Sequence, residues 1–272
     1  MNGNKTNFLN SVVILDTETT GINPKTSEIV ELATGIYEDG ILVTESSLFK
    51  SIAPISFRAS AVSNISNKMV EDKLTITENW IRVYELLKFN DKAYAVAHNS
   101  KFDSAMLETA YVSALTELDE AGIIVGYEDV KWLCTYRLAK RVFADCPDIG
   151  FKLGELRYYF DLEVPEDLVL HRADADIIVC GSLLEYIIDY AIKTDQLQDT
   201  VNIGDDLYDL CWSPIPITKM PFGKHKDELI ADVPTSYLLW VAENHDSVDE
   251  TSNKFDEDFS NTIIAEMENR LK

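Results

Sequence analysis

The chain has 272 residues, 46% of them apolar and 26% charged, with a mean hydropathy of −0.08. That composition fits a globular protein and excludes a disordered or fibrous one, at a length suited to one large domain or a domain plus a small module. Its 24 basic and 47 acidic residues leave a net charge of −23, which excludes holding polyanions by general electrostatic attraction, so any nucleic-acid function has to be localised and helped by cations. No apolar run approaches the roughly 18 to 20 residues of a membrane helix. The first ten residues are polar and offer no secretory h-region, so the expected location is the cytoplasm, with no membrane partner.

Three β-branched runs open the chain: Val12 to Asp16, Glu28 to Tyr37 and Ile41 to Phe49. Glu38-Asp39-Gly40 supplies turn chemistry between the last two, so an antiparallel meander is expected. Helical periodicity follows over Ile76 to Phe89, then a buried strand over Ala93 to Ala97 and a helix through Phe102, Met106, Leu107 and Ala110. A strand at Val130 to Cys134 leads into a helix from Thr135 to Phe143, and the last long helix runs from about Ala173 to Ile192. Strands first paired and then alternating with helices predict an α/β protein with a mixed sheet and helices on its faces. The expected division is a main domain over 8–193, an acidic linker over 194–213 and a small C-terminal module over 214–272. Cys134, Cys146, Cys180 and Cys211 form no close pair of the kind that zinc or redox motifs use, and read as reduced thiols.

The chemistry concentrates in three acidic segments. In Val12 to Gly21 an apolar strand ends with Asp16 and Glu18 at alternate positions, so both carboxylates face one side and can share a cation; a bare pair of this spacing is also what a solvated strand end offers. In Ala95 to Asp103 a buried strand breaks into polar residues, and Asp103 heads an apolar helical face continued by Met106, Leu107 and Ala110. A carboxylate there needs a cation or hydrogen bonds, unless it only caps the helix. In His171 to Asp176, Asp176 again leads a buried stripe, through Cys180, Leu183 and Ile187, whereas Asp174 falls on another face and His171 belongs to the preceding loop. Crowded carboxylates repel one another unless cations neutralise them. Two Mg²⁺ ions balance the four charges of Asp16, Glu18, Asp103 and Asp176, and oxygen-only ligands favour Mg²⁺, or Mn²⁺ in its place, over zinc.

Asp16-Thr17-Glu18-Thr19-Thr20-Gly21, His98-Asn99-Ser100-Lys101-Phe102-Asp103 and His171-Arg172-Ala173 with Asp176 resemble, in order, the three motifs of the DnaQ-like, DEDDh-type 3′-to-5′ exonucleases. Trp132 to Ala139, Met220 to Lys226 and Tyr237 to Trp240 extend the likeness toward the branch of exodeoxyribonuclease X type, over roughly residues 11 to 241. The resemblance implies an RNase H-like fold with a five-stranded mixed sheet. It implies that Asp16, Glu18 and Asp176 hold one metal ion, that Asp16 holds a second with Asp103 through water, and that His171 takes the proton from the attacking water. It also places Thr17, Glu18 and Thr19 against the 3′-terminal nucleotide, His98 and Asn99 near the strand, and Ile22 as a wedge at the terminal base, although Ile22 could equally be a core residue of the turn. Many relatives carry a histidine where Ser63 and Asn64 stand here, and Leu115 to Glu128 reads as an insertion of unassigned role.

The implied activity is release of 5′-mononucleotides from DNA 3′ ends, single-stranded or frayed, in repair or recombination. The alternatives are a proofreading subunit that binds a polymerase and a 3′-to-5′ exoribonuclease, since the metal chemistry does not depend on the sugar. A phosphatase of the haloacid dehalogenase type would want Asp-x-Asp at the strand end, which Glu18 does not supply. Phe222-Gly223-Lys224-His225-Lys226 is a short basic and aromatic cluster suited to phosphate contact and base stacking, or to a plain turn with solvated lysines. A net charge of −23 tends to keep copies apart without excluding a symmetric interface, so the oligomeric state stays open.

Overall fold

A computed structural model describes residues 3–87, 92–120, 130–146, 148–165, 172–244 and 257–271. They divide into two compact units, Met1–Cys211 and Trp212–Lys272.

The first unit runs α1 (Gly3–Asn10), β1 (Val12–Thr19), β2 (Ile29–Glu38), β3 (Ile41–Leu48), α2 (Phe57–Ser63), α3 (Asn67–Val70), α4 (Trp80–Leu87), β4 (Tyr94–Ala97), α5 (Ser100–Glu120), β5 (Lys131–Cys134), α6 (Thr135–Val142), α7 (Leu153–Tyr159), α8 (Ala173–Lys193) and α9 (Ile203–Trp212). The sheet order is β3-β2-β1-β4-β5. β1 to β3 are antiparallel neighbours, while β4 and β5 join β1's other side in parallel. This is the mixed sheet that the alternation of elements predicts, in the five-stranded RNase H-like form that the resemblance implies. The β2–β3 turn is tight because Asp39 and Gly40 both take positive φ, 51° and 81°, which matches the twist of a two-residue hairpin.

β1 is the central strand, and its alternation decides what each face carries. Val13 and Leu15 enter a core with Trp80, Val83 and Leu86 of α4 and Met106 and Leu107 of α5. Ile14 points to the opposite face, where α8 lies across β1, β2 and β3. The approach is close at Gly181 of α8, where an added Cβ would stand 2.7 Å from Leu42 Cδ2 and 3.1 Å from Ile14 Cδ1. Only a residue without a side chain lets this helix lie so near the sheet.

Residues 194–213, expected as an acidic linker, instead hold α9. Its acids Asp205, Asp206 and Asp209 face outward while Ile203, Leu207 and Cys211 are buried, an amphipathic pattern hidden by the charge of the segment. α1 and α7 were also not anticipated, being short and only partly apolar. The insertion read at Leu115 to Glu128 begins as the last turns of α5, and residues 121–128 lie outside the described residues.

The second unit has its own core of Met220, Ile230, Val233, Leu238, Val241, Phe259 and Ile263. It contains α10 (Thr235–Glu243), α11 (Glu257–Leu271) and two single 3₁₀ turns, Gly223–His225 and Ile230–Asp232. No helix among the described residues is long and apolar enough to cross a membrane.

Gly181→Ala should destabilise the first unit by about 1–3 kcal/mol through overpacking against Leu42 and Ile14, read as a lower midpoint in urea unfolding.

Candidate active site

Beyond Ile14, β1 continues on the same alternation. Asp16 and Glu18 therefore face α8, and Thr17 faces α5. From α8, the first-turn residue Asp176 meets the strand acids: Asp16, Glu18 and Asp176 each offer a carboxylate oxygen, all within 4.8 Å of one another. Asp103 arrives from the first turn of α5, and its Oδ1 accepts the Thr17 amide at 3.1 Å and the Thr17 hydroxyl at 2.8 Å. β4 pairs with β1 from Val12 to Ile14 and ends at Ala97, so further along β1 the Asp103 carboxylate takes the place of the missing neighbour strand.

The four acids repel. Burial, then the charges of Asp103, Asp176 and Glu18, hold the Asp16 carboxyl well above the usual carboxylate range. Burial and Asp176 push Glu18 up to about 7, with Arg172 opposing. Burial also raises Asp103, against the pull of its two bonds from Thr17. An oxygen-only donor set that is short of positive charge and converges from three elements fits a hard divalent cation.

Glu31 is a site residue that the sequence reading missed. It pairs with Glu18 across the β1–β2 ladder and is fully buried. Its carboxylate accepts both Arg172 Nη2 at 2.8 Å and Arg172 Nε at 3.1 Å, and also the Ala173 amide at 3.3 Å. One buried acid thus clamps the residue before α8 and the first amide of the helix that carries Asp176. The available signal was a lone acid inside the apolar run Ile29 to Ile36, which cannot be buried without a cation.

Several expected substrate residues have definite placements. Ile22 is 89% exposed, so it is not a core residue of its turn. Thr19 donates its hydroxyl to the Gly21 carbonyl at 2.6 Å and shapes that turn. Asn99 is exposed, with φ 71°, at the break between β4 and α5. His98 has both ring nitrogens engaged inside the protein, Nδ1 with Thr135 Oγ1 at 2.9 Å and Nε2 with the Phe151 carbonyl at 3.0 Å, and burial lowers its pKa to about 4. Ser63 and Asn64 form the end of α2, with Asn64 in the left-handed region. His171 lies outside the described residues.

The exonuclease family model of RNase T type matches residues 13–184, which is more than half of the chain and includes all four acids. The chain belongs to the DnaQ-like 3′-to-5′ exonucleases. Exonucleases of this family depend on divalent metal, and the acidic cluster stands where the motifs meet. Exodeoxyribonuclease 10 of Escherichia coli (strain K12) is 28% identical over 243 residues, 86% of this chain and 92% of its own length. The 3′-5′ exonuclease DinG of Bacillus subtilis (strain 168) is 32% identical over 182 residues, 65% of this chain and 17% of its own. A solved structure of exonuclease X in complex with 5′ overhanging duplex DNA superposes with a TM-score of 0.52 at 28% identity, covering 72% of this chain and 99% of that one. A separate family model, described as "Putative quorum-sensing-regulated virulence factor", matches residues 213–245 of the exonuclease.

Glu31→Ala should cost about 1–3 kcal/mol, since it removes the acceptor shared by the Arg172 guanidinium and the buried Ala173 amide. Adding Arg172→Leu should recover only part of the stability in urea unfolding, and not turnover, because the first amide of α8 still lacks its acceptor.

The His98 ring should titrate near pH 4 and stay neutral at pH 6. A folded-state pKa below the unfolded value near 6.5 means that its stabilising contribution is complete above that pH and is lost as pH falls toward 4. Ring ¹⁵N chemical shifts followed by NMR against pH would check this, and a midpoint near 6.5 would contradict it.

Proposed function

We propose that the chain removes 5′-mononucleotides one at a time from the 3′ ends of DNA, single-stranded or frayed, within the cytoplasm and in the service of repair or recombination. The observation that carries this reading is the convergence of Asp16, Glu18 and Asp176 within 4.8 Å, with Asp103 fastened beside them by Thr17. The similarity to a relative named as an exodeoxyribonuclease over 92% of its length, and to a structure named as holding duplex DNA, favours DNA as the substrate.

In this reading Asp16, Glu18 and Asp176 would hold one divalent cation, and Asp16, with Asp103 through water, would hold a second. Both are Mg²⁺, and Mn²⁺ can replace them. When bound, such ions supply Lewis acidity at the scissile phosphate and lower the pKa of water. The water oxygen attacks phosphorus while the bond from phosphorus to the 3′ oxygen of the penultimate nucleotide breaks. The phosphate leaves on the released nucleotide, and the departing 3′ oxygen takes a proton from solvent to leave a new 3′ hydroxyl on the strand. His171 accepts the water proton on its imidazole, the side-chain type whose unperturbed pKa of about 6.5 suits a base at neutral pH. The backbone from Thr17 through Glu18 to Thr19 lines the terminal nucleotide. Ile22, whose side chain is exposed, is free to stack against the terminal base and offset part of the cost of unstacking it. His98 contributes by holding the loop at Phe151 against the start of α6, and the exposed Asn99 stands toward the strand.

A second reading, proofreading beside a polymerase, draws on the 27% identity over 179 residues to DNA polymerase III subunit epsilon of Treponema pallidum. That match spans 65% of this chain, whereas the exodeoxyribonuclease match spans 86%.

A 5′-labelled DNA oligonucleotide incubated with Mg²⁺ should give a ladder shortening from its 3′ end. The ladder should vanish with EDTA and fall at least about 10³-fold in Asp16→Ala, the scale of losing an essential charge-stabilising group. His171→Ala should lower turnover far more than metal or DNA affinity; equal losses in all three would remove it from the role of base. An intact DNA band beside a digested RNA oligonucleotide would move the substrate to RNA. Activity appearing only with an added polymerase would favour the proofreading reading.

A further inference from the structure

The second unit carries a cluster that the nuclease chemistry does not use. α10 turns Leu238 and Val241 into the core of this unit; Tyr237 is half-buried and packs against that core, while Trp240, three residues on, is left exposed. Their rings stack at 5.7 Å with 25° between planes, and Trp240 is 51% exposed. The His225 ring stands edge-on to Tyr237 at 4.6 Å, and Lys224 Nζ lies 4.8 Å from the centre of the Tyr237 ring.

A short turn holds these groups together. Met220 and Glu228 pair through their backbones, Gly223 takes φ 76°, and an added Cβ there would stand 2.2 Å from the Tyr237 hydroxyl oxygen. The segment Ser213 to Lys226 holds three lysines, Lys219, Lys224 and Lys226, and no acid, within a chain of net charge −23. His225 Nδ1 is bonded to Glu228 at 2.8 Å, while its buried Nε2 has no partner among the described residues.

A half-exposed tryptophan stacked on a tyrosine ring that Lys224 also overlies is well matched to an unpaired base flanked by phosphates. A duplex keeps its base faces covered, and an apolar peptide has no use for the lysines. We propose that the Trp212–Lys272 unit binds a single-stranded nucleic-acid segment, with a base on Trp240 and phosphates at Lys224 and Lys226. The site would be separate from the acidic cluster and would supply the localised affinity that the overall charge denies. The proposal rests on the nucleic-acid reading above, but its test measures binding and needs no cleavage.

The probe is fluorescein-labelled (dT)20, followed by anisotropy with the full chain carrying Asp16→Ala, in EDTA. Adding Trp240→Ala should weaken binding about tenfold, with Trp240→Phe recovering most of it. Lys224→Ala with Lys226→Ala should flatten the salt dependence by about 1.4 in slope, about 0.7 for each phosphate contact. An abasic strand of the same length, which keeps phosphates and lacks bases, should bind the parent and Trp240→Ala chains alike. Unchanged (dT)20 affinity in Trp240→Ala would overturn the proposal. An equal loss on the abasic strand would also overturn it, since Trp240 would then be acting on the fold alone. If the parent binds as expected but the wild-type chain leaves DNA intact, the nuclease reading fails and this one stands.

Discussion

Four carboxylates gathered at the end of one strand repel one another, and the first unit is arranged around making that tolerable. β1 delivers two acids on one face because strand side chains alternate, and the same alternation sends Thr17 to the other face to receive Asp103. α8 must approach closely for Asp176 to complete the group, which is why a glycine lies where this helix crosses the sheet. Burial and neighbouring charge then raise the acids toward neutrality, a state that a divalent cation relieves. The Glu31–Arg172 pair fixes the helix start without consuming a ligand, and Arg172 offsets part of the repulsion that the buried Glu31 charge adds at Glu18.

The sheet was legible because its signals are local. β-branched runs, a turn with two residues able to take positive φ, and helices spaced between later strands carry their own periodicity. The four acids of the cluster were legible for a related reason: each stands near the end or the start of a core element, where a charge interrupts an apolar pattern. Glu31 was not read, although it too interrupts such a pattern, because its partner Arg172 lies 141 positions away and only the folded sheet brings them together. His98 shows the converse. Its place in a motif suggests contact with substrate, yet both its nitrogens are used by Thr135 and Phe151, partners that no spacing rule connects to it. α9 was lost in a segment whose net acidity resembled a linker, because only its inner face is apolar.

The two units handle charge differently. In the first, negative charge is concentrated at the site and calls for cations. In the second, a short acid-free segment carries lysines next to stacked rings. A chain with this overall balance cannot rely on long-range attraction to find a polyanion, so its contacts with one have to be short-range and built from particular side chains.

Asp103 differs from the other three acids in what it is attached to. Its carboxylate closes the hydrogen bonding of β1 where the neighbouring strand has ended, so it is part of the scaffold as well as of the cluster. Asp16 and Glu18 add mainly repulsion to the fold, eased at Glu18 by Arg172, so losing either one relaxes it. The acids are therefore unequal under mutational drift. A lineage abandoning catalysis can shed Glu18 or Asp16 and keep a sound domain, whereas loss of Asp103 strands a buried amide and hydroxyl, so Asp103 is the acid expected to outlast the activity.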